Sequence, residues 1–197
     1  MEPKRRTGKY KEIDDYNKLG RDIKEIFRNY KKYITKTESR LFLGIPVIIS
    51  IIIFCYLGFF EESNTTLLSH IVEMNQVALT VIAILAGFNT TSLSIIAASN
   101  NKKLSISNDG VLRQLTTFFS FAIVVQLLVL IAGILFSIIS KTLDDVSLFF
   151  TFLSGLTVKL PLLLFGAFWL TLILFTIIIS IRNATLLYRY VIFVADD

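Results

Sequence analysis

Four windows of the chain carry no Asp, Glu, Lys or Arg: Leu41–Phe60, Met74–Asn101, Gln114–Ser140 and Leu160–Ile181. They are 20, 28, 27 and 22 residues long. A helix rising 1.5 Å per residue needs about 20 apolar residues to cross a hydrocarbon layer about 30 Å thick, so each window predicts one transmembrane helix. The apolar runs are continuous rather than alternating, which favours helices over a membrane barrel. The pattern therefore predicts an all-α fold: an integral membrane four-helix bundle with spans at about 41–60, 76–99, 115–139 and 160–181, together forming a domain over 41–197. Pro46 falls in the second turn of the first predicted span, where a missing N–H costs little. Ser63–Glu73 reads as an external loop holding the single His, His70, and Asn100–Arg113 reads as a turn marked by Asn108-Asp109-Gly110. Residues 146–158 are apolar but too short to span, so an interfacial half-helix is expected there. Leu186–Val194 continues the helical pattern past the fourth span.

Residues 1–40 read differently. Tyr16, Leu19, Ile23, Ile26, Tyr30 and Tyr33 are spaced 3, 4, 3, 4 and 3 residues apart, the seam of a short heptad run. Lys24, Arg28, Lys31 and Lys32 are interspersed with it. Two readings fit: an amphipathic helix lying on the membrane surface, or a helix that packs on its own copies or on another protein. The run is too short to hold a coiled coil alone.

The second span is the polar one. Placed at 100° steps, Gln76, Thr80, Ala83, Gly87, Thr90, Thr91, Ser94 and Ala98 share one stripe about 100° wide. Every member is small or polar. Such a stripe serves either as a helix–helix seam, because small residues let backbones approach, or as the lining of a pore around an oligomer axis. Asn89 lies roughly 150° from the centre of that stripe by the same geometry. Its carboxamide needs a partner, because hydrocarbon offers none. Asn89 is 13 residues from Lys102, and Gln126 is 13 residues from Arg113. Both are then about 19 Å deep from the same side, and a hydrogen bond between them is expected.

Composition fixes the class and charge gives a direction. Hydrophobic residues make up 54% of the 197 residues and charged residues 18%, against about 25% charged in an ordinary soluble domain. Mean hydropathy is +0.67. The net charge of +5 would suit nucleic acid, but its distribution has a simpler cause. Of 20 basic residues, 13 precede Leu41, three fall in Lys102–Arg113 and two follow Ile181. With both termini cytoplasmic, 18 of the 20 lie inside, as the positive-inside rule requires. Lys102, Lys103, Arg113 and Arg189 are then placed to meet anionic headgroups or a cytoplasmic partner, and no direct nucleic-acid binding is expected. No predicted span holds an ionisable side chain of the kind that marks proton relays or coupled transport. One His and one Cys exclude a Cys/His metal cluster, and no glycine-rich phosphate loop occurs. The expectation is a protein that is not an enzyme and uses no cofactor.

The run Ile84-Leu85-Ala86-Gly87-Phe88-Asn89-Thr90-Thr91, the Ser-rich helix after it and Asn100-Asn101-Lys102-Lys103 resemble the polar second span of small bacterial four-span proteins encoded beside antiphage genes. The layout of the whole chain is similar to the KwaA family, the membrane subunit of the Kiwa defence system. That resemblance implies a homo-oligomer, a tetramer in particular, and a soluble DNA-binding partner of the KwaB type docked on the cytoplasmic face. It also implies a role in sensing disturbance of the bacterial inner membrane. The expected function is thus an oligomeric anchor and sensor subunit, a scaffold presenting a cytoplasmic platform to a soluble effector. The alternative is a small ion channel or depolarising effector whose pore is lined by the stripe of the second span.

Overall fold

A computed structural model describes residues 19–61, 63–98, 109–145 and 159–195. Five helices account for almost all of them: α1 (Leu19–Tyr33), α2 (Lys36–Phe60), α3 (Asn64–Ala98), α4 (Asp109–Asp145) and α5 (Lys159–Ala195). No strand occurs among the described residues. Helices α2 to α5 are each long and apolar enough to cross a bilayer, and the chain is a multi-pass membrane protein built as a helical bundle. The stretch of α5 from Lys159 to Arg182 measures about 35 Å at 1.5 Å per residue, close to one hydrocarbon layer. Arg182, Glu38 and α1 lie at one end of the bundle, the basic end. Glu61, His70 and Lys159 lie at the other.

The helices are longer than the charge-free windows, for local reasons. Helix α2 starts five residues before Leu41 because Thr35 and Glu38 form a capping box: Glu38 N–H donates to Thr35 Oγ1 at 3.2 Å, and Thr35 N–H donates to Glu38 Oε2 at 3.1 Å. Pro46 is therefore in the helix interior rather than the second turn, buried and unable to donate to the preceding turn. The expected external loop Ser63–Glu73 is instead the start of α3, with the Ser63 hydroxyl accepting from Thr65 N–H at 3.3 Å. His70 is not a loop residue: it sits on α3 with Nε2 3.2 Å from Glu61 Oε1. At the same end Lys159 Nζ donates to the Glu61 carbonyl at 2.7 Å, tying α5 to the end of α2. Helix α4 begins at Asp109, so Asp109-Gly110 opens a helix instead of making a turn. Residues 99–108 and 146–158, including Lys102, Lys103 and the expected half-helix, lie outside the described residues. Helix α5 runs on to Ala195, as the pattern of Leu186–Val194 predicts.

Helix α3 is central, packing on both α4 and α5, while α2 packs on α5. One core layer joins Phe54, Leu67, Ile71 and Leu170 across α2, α3 and α5. A second joins Ala78, Ile82, Val129, Trp169 and Ile173. A third, toward the basic end, joins Ile96, Leu115, Phe119 and Tyr190.

The heptad helix finds a partner within its own chain. Helix α1 packs in cis, along the basic end of α4. Tyr30 stacks on Phe121 with centroids 3.6 Å apart, Phe27 meets Phe121 edge-on at 5.0 Å, and Tyr33 meets Phe118 at 6.4 Å. Ile26 packs on the same cluster, and Ile23 is half-buried. Leu19 is the first residue of α1, and Tyr16 lies outside the described residues. Aromatic rings on α4 give the seam a large apolar area to bury, and this face of α1 turns toward them. Lys24, Arg28, Lys31 and Lys32 remain exposed on the outer side of α1.

Candidate functional site

Two polar networks cross the interior of the bundle. The one nearer the basic end forms around Asn89, which is fully buried. Its Nδ2 donates to Gln126 Oε1 at 3.0 Å and to Ser180 Oγ at 3.1 Å. The expected bond between Asn89 and Gln126 is present, and Ser180 and Asn183 complete the set. Gln126 Nε2 donates to Ser180 Oγ at 2.6 Å, and Ser180 Oγ donates to the Thr176 carbonyl at 3.1 Å. Asn183 Nδ2 donates to Asn89 Oδ1 at 3.0 Å and lies 3.4 Å from the Phe118 carbonyl. Three helices are thus fixed in one register by uncharged groups. Gln126 lies 13 residues from Arg113 on the unbroken helix α4, about 19 Å along its axis, while Lys102 lies outside the described residues. The network adjoins Arg182, whose guanidinium lies 3.7 Å from the Phe118 ring centre. Arg113 stands about 7.5 Å further out along α4.

The second network is centred on Asn75, also fully buried. Its Nδ2 donates to the Gly133 carbonyl at 3.0 Å and to Ser137 Oγ at 2.8 Å, and its Oδ1 accepts from Trp169 Nε1 at 3.2 Å. Gly133 makes the approach possible, since a Cβ there would sit 2.8 Å from Asn75 Oδ1. Sequence reading missed this network. Its signal was a lone carboxamide one residue before the stripe and a Trp in another span, two groups that each need a partner in hydrocarbon.

Neither network contains a titratable group, so neither can relay protons. Their work is to lock helix register. Interhelical hydrogen bonds in bilayers average about 0.6 kcal/mol and reach about 1.7. A double-mutant cycle on Asn89→Ala and Gln126→Ala is expected to give a coupling of about 1 kcal/mol, read from equilibrium unfolding in mixed micelles. A coupling indistinguishable from zero would show that the pair contributes no stability.

The stripe lies elsewhere. Gln76, Thr80, Ala83, Gly87, Thr90, Thr91, Ser94 and Ala98 are all exposed. The seam reading fails within one chain: the inward face of α3 carries Leu67, Ile71, Asn75, Ala78, Ile82, Ala86, Asn89, Ser92 and Ile96 instead. Thr90 Oγ1 and Ser94 Oγ donate to carbonyls one turn back, of Ala86 at 2.8 Å and Thr90 at 3.0 Å. A Cβ on Gly87 would meet nothing within 4 Å. An outward track of small and hydroxyl side chains therefore runs along most of α3.

At the basic end, Arg182 joins four helices. Its Nη2 is 3.7 Å from Glu38 Oε2, and its guanidinium lies between the rings of Phe118 at 3.7 Å and Phe42 at 5.5 Å. Burial pushes the Tyr30 phenol above its ordinary value of 10.0, with the nearby Arg182 pulling the other way, so Tyr30 stays neutral at physiological pH. Arg113 and Arg189 are exposed at this end. Among the described residues no group of His, Cys, Asp or Glu side chains is arranged to hold a metal ion.

No protein family, curated protein or solved structure matches the chain.

Proposed function

We propose that the protein is an oligomeric membrane anchor and sensor subunit that presents its basic end as a platform to a soluble effector. The observation that carries this reading is the outward stripe of α3. All eight of its members face away from the bundle, and the interior is already closed by the two networks without them. Small residues on a lipid-facing helix favour close approach of a second helix, because packing and interhelical hydrogen bonds, not a hydrophobic driving force, bring helices together in lipid. The occupant of this face is another copy of the chain, in a tetramer by the resemblance in layout to the Kiwa membrane subunit. The same resemblance supports a role in antiviral defence in the bacterial inner membrane, with a KwaB-like effector as partner. The basic bias of the α1 end supports cytoplasmic termini. Exposed Lys24, Arg28, Lys31, Lys32, Arg113 and Arg189 at that end suit an acidic protein surface or anionic headgroups.

Native mass spectrometry of the full chain in lipid nanodiscs tests the reading. The wild type is expected to run as one discrete oligomer, and Gly87→Leu or Thr91→Leu to release monomers while leaving helicity unchanged. A wild-type monomer would overturn the proposal. Ion leakage from liposomes that is lost in Thr91→Leu would replace it with the pore reading, in which the same stripe lines the oligomer axis.

A further inference from the structure

Helices α1 and α4 enclose a cleft of about 480 Å³ between them near the basic end. Asp22, Glu25 and Asn29 line it from α1, and Arg113, Thr116 and Ser120 line it from α4. Both signs of charge and several hydroxyl and amide groups therefore face one cavity. Its ion pairing is loose: Glu25 Oε1 is 4.0 Å from Arg113 Nη2 and 4.0 Å from Arg28 Nη2. Asp22 is exposed.

The height of the cleft is informative. The Arg182 guanidinium against Phe118 marks where charge enters the basic end of the bundle. Arg113 stands about 7.5 Å beyond Phe118 along α4, and the interfacial layer of a bilayer is about 5–8 Å thick on each side. Along α4 the cleft thus spans the headgroup layer, with Ser120 at its inner end and Arg113 at its outer end. A site at that height that offers one guanidinium and two carboxylates fits a headgroup carrying a phosphate and a cation a few ångströms apart. Arg113 matches the phosphate. The carboxylates of Asp22 and Glu25 accept hydrogen bonds, which a primary ammonium can donate and a quaternary one cannot. An anionic headgroup without an amine would meet two carboxylates and a single guanidinium.

The geometry points to a binding site for a zwitterionic phospholipid with a primary amine, the phosphatidylethanolamine class, in the α1–α4 cleft. The phosphate sits on Arg113, the ammonium between Asp22 and Glu25, and the hydroxyls of Thr116 and Ser120 face the glycerol end. Because α1 forms one wall, the bound lipid braces α1 against α4. The site is independent of the oligomer reading, since a single chain forms it completely.

The test is lipid retention by the full-length protein in detergent, measured by native mass spectrometry with equimolar phosphatidylethanolamine, phosphatidylcholine and phosphatidylglycerol. The wild type is expected to retain the ethanolamine lipid at least fivefold over either competitor. Asp22→Asn with Glu25→Gln is expected to erase that preference, and Arg113→Gln to lower retention of the ethanolamine lipid severalfold. The far-ultraviolet helix signal and thermal midpoint, unchanged in these surface variants, separate lost binding from lost folding. Equal retention of ethanolamine and choline lipids by the wild type would overturn the proposal, as would a preference that survives the double variant. Soluble glycerophosphoethanolamine is expected to displace the lipid poorly. If it competes at equal concentration, the cleft is a site for a free headgroup, and the lipid assignment falls.

Discussion

Gly166→Val is expected to destabilise the bundle by about 3 kcal/mol or more. Gly166 lies on α5 where α2 and α3 both press against it. A Cβ at this position would land on Cε1 and Cζ of Phe54 and sit 3.0 Å from Ile71 Cδ1. Phe54 is 4% exposed and Ile71 is 1% exposed, so neither side chain has open space into which to retreat. The substitution must push α5 away from α2 and open the layer that also holds Leu67 and Leu170. Gly44→Ala provides the control. Nothing lies within 4 Å of a Cβ there, and replacing this half-buried helical glycine is expected to be neutral or stabilising by up to about 1 kcal/mol. Equilibrium unfolding in mixed micelles reads both. Phe54→Ala combined with Gly166→Val should recover part of the loss, since it removes the ring that the valine strikes. A Gly166→Val protein as stable as the wild type would mean that α2 and α5 do not cross at this point.

Glu38→Ala is expected to cost about 2–3 kcal/mol, from two separable sources. The first is the capping box, in which the carboxylate accepts from the Thr35 N–H and hydroxyl at 3.1 and 3.0 Å. Losing a cap is worth about 1 kcal/mol. The second is the counter-charge of Arg182. The Arg182 side chain is 11% exposed, and its Nη1 is buried without a hydrogen-bond partner. Removing one partner of a buried pair costs about 3–5 kcal/mol. Glu38 is 41% exposed, so solvent screening reduces that figure to about 1–2 kcal/mol. Glu38→Gln separates the sources, because glutamine can still close the box but carries no charge. It should lose only the ion-pair part. Pairing Glu38→Gln with Arg182→Met in a double-mutant cycle should show most of that part as coupling. Additive single effects would mean that the guanidinium is held by the rings of Phe118 and Phe42 alone.

Much of this architecture was legible in the sequence. Four charge-free windows gave four spanning helices, because transfer of charge into hydrocarbon is costly enough to be read without a structure. The pairing of Asn89 with Gln126 was legible for the same kind of reason. A carboxamide in a span needs a partner at its own depth, and the chain offered one at a matching count. The helix ends were less legible. Charged residues do not end a helix; caps do, and the Thr35–Glu38 box carried α2 past Arg40 while α3 began at Asn64.

The sequence by itself determined the class of protein, the number of crossings, the basic end and the need for polar pairing at Asn89. Only the tertiary structure decided which face of α3 looks inward, where α1 docks, and that Ser180, Asn183, Asn75 and Trp169 join the networks. The reason is physical. In water an apolar stripe announces the core, but lipid is as apolar as leucine, so periodicity does not separate a face buried in the bundle from one that meets lipid or a second chain. On α3 both faces repeat at helical spacing and both carry small or polar residues. The choice fell to shape and hydrogen bonding: Asn75, Ala78, Ile82, Ala86 and Asn89 fit the surfaces of α4 and α5, leaving the track from Gln76 to Ala98 outside.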